Sequence, residues 1–188
     1  MMIPPPVNIE VLLAAIVADL RAGFPQLVTV EEYSDEFMAA QAPLATPAVL
    51  VDLFEIEPQP DEDPGTGQTA VTLRFEATVV LGFSEPAVER AVRVIAADLS
   101  HRISGSRFGQ HIGPAVLVGV EPQNFAPELD QYVAWRIEWF HRPAYLGAAE
   151  WPEAGTPATE VRLSEEPEIG PGNEEAYDLV YEYDEPQP

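Results

Sequence analysis

The residues best suited to chemistry gather first at Asp61-Glu62-Asp63-Pro64-Gly65, where acids alternate ahead of a glycine as in a calcium loop. An EF-hand needs a bidentate glutamate at its twelfth position, and counting from Asp61 that position is Thr72. The flanking residues also read as strands, not helices, so the run fits a solvated hairpin loop. Gly65-Thr66-Gly67-Gln68-Thr69 has the glycines of a phosphate loop without its lysine, and it leads into a strand. The histidines, His101, His111 and His141, fall in three different elements with no metal-binding spacing. No G-x-S-x-G elbow exists, and Ser104-Gly105-Ser106 follows a helix where a serine nucleophile would follow a strand. The chain is expected not to be an enzyme, and no cofactor or metal set emerges.

One charged arrangement is positive. Arg74-Phe75-Glu76 and Arg136-Ile137-Glu138 repeat the same order in two strands. In antiparallel neighbours Arg74 would face Glu138, Glu76 would face Arg136, and Phe75 would face Ile137. A single register satisfies both ion pairs. The alternative is two unrelated solvent-facing strands.

These residues sit on a chain of 188 residues with 32 acids, nine basic residues that are all arginine, and no cysteine. The length fits one domain of about 100–150 residues plus an extension. A hydrophobic fraction of 46% supports a core. The net charge of −23 disfavours gripping nucleic acid, since phosphates are repelled rather than neutralised. Without cysteine there are no disulfides, thiolate metal sites or thiol nucleophiles. The start, Met1-Met2-Ile3-Pro4-Pro5-Pro6, lacks a basic n-region, and the longest uncharged stretch, Phe37 to Val51, is too short for a membrane span and contains two prolines. A soluble, non-exported protein is expected.

The positioning elements follow from periodicity. Asn8 caps a helix with Ile9, Leu12, Leu13, Ile16 and Leu20 on one face, ended by Gly23 and Pro25. Strands follow at Leu27 to Glu31 and Thr46 to Glu57, the latter apolar on both faces and so expected to be covered on both. Residues 58–68 form a loop, and Thr69 to Phe83 is the longest alternating strand, with Val71, Leu73, Phe75, Ala77 and Val79 on one side. Ser84 is expected to cap the second helix, with Pro86 in its first turn, Val88 to Ile103 as its apolar stripe and Gly105 as its stop. After a glycine loop over 104–114 come strands Ala115 to Glu121 and Tyr132 to Arg142, the second burying Val133, Trp135, Ile137 and Trp139. The fold class is α+β: a single αβββαββ domain over 1–142, mostly antiparallel and flanked by two helices. Residues 143–188 hold 12 acids and one arginine, hence −11 of the −23. Trp151, Tyr177, Leu179, Val180, Tyr181 and Tyr183 are anchors that a solvated tail does not need. This segment is expected to be an extended acidic arm that packs on its domain, a neighbour or a partner.

The order αβββαββ resembles the tail terminator proteins of long-tailed bacteriophages. Leu27-Val-Thr-Val-Glu-Glu-Tyr-Ser-Asp-Glu-Phe37 followed by Thr46-Pro-Ala-Val-Leu-Val-Asp52 is similar to the family of Mu-like phages and prophages, where a V-E-x-Y-x-x-E-F segment leads into a P-A-V-L-V strand. The Arg74 to Val80 strand, the Ala91 to Ile103 helix, Ile112-Gly-Pro114 and Trp135-Arg-Ile-Glu-Trp139 have counterparts there too. The resemblance covers about residues 8–142 and not the arm. It implies a structural virion protein: a homohexameric ring at the head-proximal end of the tail, assembled in the host cytoplasm. Such a ring ends polymerisation of the tail tube protein and docks a head-side connector or neck protein. DNA would pass through an acidic lumen without specific binding, and no membrane is involved. Loops 58–68 and 104–114 then become candidate contacts, with Asp61, Asp63, Arg107 and Phe108. The ion-pair residues Arg74, Glu76, Arg136 and Glu138 and the arm's Trp151, Tyr177, Tyr181 and Tyr183 join them as interface candidates. Two alternatives stay open: an acidic DNA mimic that inhibits a nucleic-acid-binding protein, and another head-completion or tube-initiating virion protein.

Overall fold

A computed structural model of the chain describes residues 5–33, 44–123, 132–149, 160–165 and 169–182. The elements are α1 (Ile9–Gly23), β1 (Thr29–Glu32), β2 (Ala48–Pro58), β3 (Thr69–Gly82), α2 (Val88–Ile103), β4 (Ala115–Pro122) and β5 (Tyr132–Leu146), then β6 (Glu160–Leu163) and β7 (Asp178–Glu182). The αβββαββ order and the α+β class read from the sequence are those observed. The first five strands form one sheet in the order β1-β2-β3-β5-β4; only β1 and β2 run parallel. The chain divides into two compact units, Met1–Glu150 and Trp151–Pro188.

α1 begins where Asn8 accepts a hydrogen bond from the Val11 amide at 3.1 Å. Its Leu12, Leu13, Ile16 and Leu20 are buried. They share one cluster with Val92, Ala96, Leu99 and Ile103 of α2 and with Val71, Leu73, Phe75, Ala77 and Val79 of β3. Those β3 residues alternate along a single face, so both helices lie on the same side of the sheet. Each fully buried Leu or Ile contributes about 1.5–3 kcal/mol. Arg102 of α2 ties the helices together by two bonds to the Asp19 carboxylate, at 2.9 and 2.7 Å.

Three boundaries differ from the sequence expectation. Ser84 and Pro86 do not open α2: the Glu85 amide bonds Gly82 O, so these residues are used in the turn leaving β3. The N-cap is Ala87, at φ +50° and without a side-chain cap. β5 does not stop at Arg142 but passes through Pro143 to Leu146, because Ala144 is buried opposite Val71. The first compact unit accordingly reaches Glu150, not 142. β2 is covered on both faces only over Ala48 to Val51; beyond the irregularity at Leu53/Glu55, Phe54 and Ile56 are exposed.

The glycine loop after α2 is held closely against β5. Gly113 donates its amide to Pro143 O at 2.8 Å, and a Cβ there would lie 1.8 Å from Arg142 O. The second unit contains the antiparallel β6–β7 hairpin, and Tyr177 Oη accepts from the Gly170 amide at 2.7 Å. Among the described residues no helix is long and apolar enough to cross a membrane.

Candidate interaction surfaces

β3 and β5 are antiparallel neighbours, as the charge order predicts, but the register is displaced by two residues. Arg74 faces Phe140, Glu76 faces Glu138, and Phe75 faces Trp139 instead of Ile137. A two-residue slip leaves each side chain on its own face, so hydrophobic patterning does not distinguish the registers. Packing does: Phe75 stacks on Trp139 with centroids 5.6 Å apart and planes at 13°. The expected ion pairs survive diagonally, because arginine reaches the j±2 neighbour. Arg74 meets Glu138 at 3.2 Å and Glu55 at 3.5 Å, while Arg136 meets Glu76 at 3.5 Å and bonds Glu121.

The result is a charged ladder across β2, β3, β5 and β4 on the face away from the helices. Two arginines serve four carboxylates, and Glu76 and Glu138 stand directly opposite each other. Burial pushes the Glu76 carboxyl above its ordinary value, against the pull of Arg136 and the Thr78 hydroxyl.

The loop candidates separate. Asp61 and Asp63 are exposed at the β2–β3 hairpin, and Asp63 accepts from the Gly65 amide at 2.8 Å, closing a local turn. Arg107 is exposed, whereas Phe108 points inward: it is buried at φ +49° and packs edge-on against His141, 5.8 Å between centroids. Within residues 104–114 Phe108 is thus part of the core, while Arg107 stays on the surface. Among the arm candidates Tyr177 is half-buried within the second unit, and Tyr181 lies on β7 opposite Val161. Trp151 and Tyr183 lie outside the described residues.

The histidines lie in three separate places. His101 and His111 are exposed; His141 is fully buried, mid-strand rather than at the strand's close. The two ring nitrogens of His141 have assigned partners. Nδ1–H donates to Gly113 O at 2.8 Å, which leaves Nε2 to accept from the Trp139 indole N–H at 3.2 Å. That tautomer is neutral, and burial holds the imidazole below its usual value. Among the described residues no group of three or more histidines and acids could hold a metal ion.

No family model matches the chain, and no curated protein matches it. A solved structure described as "Virion of native gene transfer agent (GTA) particle" is similar at 16% identity, covering 72% of this chain and 95% of that chain, with a TM-score of 0.42. The interaction surfaces follow from the chain's own residues.

Among those residues, the surface that sequence reasoning missed is β4. Val116, Val118 and Val120 are 45%, 50% and 36% exposed. The segment Ala115-Val-Leu-Val-Gly-Val is recognisable as a strand, but its place at the sheet edge is decided by topology. Gly119, beside the irregularity at Leu117/Gly119, was the local signal present.

Proposed function

We propose that this chain is a structural virion subunit that assembles as a homohexameric ring on the phage tail tube. The ring ends tube polymerisation and offers its other face to the head connector. The observation that carries this reading is the uncovered apolar edge of β4, a surface suited to a neighbouring subunit. The resemblance of residues 8–142 to tail terminators supplies the kind of assembly, and an interface between unlike surfaces closes into a ring when its rotation permits. The role is mechanical and needs no catalysis.

The charge suits such a conduit. Six chains carry a net charge of 6 × −23 = −138, and the share that lines the lumen faces duplex DNA with about one phosphate per 1.7 Å. Repulsion at every point along the wall lets DNA slide without sticking. The acidic second unit serves a protein contact, with the adjacent subunit or the neck.

Light scattering on the purified chain, followed by negative-stain imaging, tests the proposal. A mass near six times 20.6 kDa and a six-fold ring with an open lumen support it. A compact monomer that binds a basic protein would instead favour the DNA-mimic reading.

A further inference from the structure

The two edges of the five-stranded sheet are finished differently. β1 is four residues long, bears Glu31 and Glu32, and has its Val30 carbonyl capped by Arg21 Nη2 at 2.5 Å. Short length, charge and a covered carbonyl are common ways to close an edge. β4 has eight residues and three exposed valines, and its acid and proline, Glu121 and Pro122, stand only at its far end. Only its first residue is closed: Ala115 donates to Ser106 O and accepts from the Gly105 amide, both at 2.8 Å. Among the described residues, no backbone group pairs with the outer edge beyond it.

The second unit has a complementary need. Among the described residues β6 and β7 form a two-stranded sheet of their own, and a two-stranded hairpin is marginal in water. Leu163, Leu179 and Val180 are exposed on it. β7, Asp178-Leu-Val-Tyr-Glu182, has strand-forming residues and no cation. Charge agrees as well. Residues 151–188 hold 11 acids and one arginine. Arg107, in the loop that opens β4, is exposed with no acid partner among the described residues.

We propose that β7 of one copy adds to the free edge of β4 in a second copy, continuing the sheet across the subunit boundary. Backbone hydrogen bonds hold the added strand, and its alternate side chains pack with the valines. Each copy then offers one donor strand and one acceptor edge. This deepens the ring reading and rests on it for the identity of the partner.

The chain has no cysteine, so introduced thiols report contacts without background. Full-length Val118→Cys and tagged full-length Leu179→Cys are mixed and oxidised, with Val28→Cys on the β1 side replacing Val118→Cys as control. A tagged heterodimer near 41 kDa, twice 20.6 kDa, at least ten-fold above control is the expected result. Val118→Lys, with circular dichroism unchanged, is expected to lower the assembled mass. No heterodimer above control overturns the proposal. So does a disulfide that closes within a monomer when both cysteines share a chain. A six-fold ring without the cross-link overturns strand addition and leaves the ring standing. The cross-link in an assembly of another subunit number upholds strand addition and removes the hexameric ring.

Discussion

On the face of the sheet that meets the helices, β3 contributes Val71, Leu73, Phe75, Ala77 and Val79; on the opposite face it contributes Thr72, Arg74, Glu76 and Thr78. The first set is close-packed and tolerates little change. The second is a network in which long side chains reach several partners and exchange one acid for another. The difference separates what stabilises the fold from what leaves its registers and contacts adjustable. The helix-covered face carries the main core, and the opposite face combines the charged network with a small buried cluster of Ala48, Val80 and Ala134.

The largest test of this contrast is Trp139→Ala. It removes the fully buried partner of Phe75 and should cost about 3–5 kcal/mol in chemical denaturation. Acidification probes the same face next. The folded His141 sits below its unfolded value of 6.5, so its contribution is complete above that pH and is lost as pH falls through it towards the folded value. Denaturation between pH 7.5 and 5 should show falling stability, and a flatter profile in His141→Gln would assign the fall to this residue. On the open face, Arg136→Ala should cost only about 1 kcal/mol or less. It should also let the Glu76 carboxyl titrate higher still, since Arg136 is the larger of the two influences, with Thr78, that oppose its burial; NMR titration of Glu76 reads this. A comparably small effect belongs to Arg93→Ala, which breaks an exposed i,i+4 pair with Glu89 on α2 and removes the guanidinium from over the Trp135 ring, at about 1 kcal/mol. A loss at Arg136 as large as at Trp139 would dissolve the distinction between the faces.

How much of this is legible in the sequence depends on whether local pattern or distant packing decides. The helices and the core face of β3 follow from period 3.6 and period 2, and α1 begins at the Asn8 cap that its sequence announces. The β3–β5 pairing is readable from the repeated Arg-x-Glu order. Its register is not, because a two-residue slip preserves every face and the Phe75–Trp139 stack decides it. Phe108 reads as a contact residue in a glycine loop; its burial depends on His141, more than 25 residues away in sequence and held in turn by Gly113. The free edge of β4 is hidden for a similar reason, since a strand's text does not say which strands will flank it.

Gly113 turns this geometry into a rule for comparing sequences. With Arg142 O only 1.8 Å from where a Cβ would stand, the loop and β5 coexist only while position 113 has no side chain. A related chain carrying alanine or anything larger at the aligned site must have rebuilt either the loop or the strand. One letter of a relative's sequence therefore reports a divergence in backbone path, and it marks where an alignment that spans both segments stops describing equivalent positions.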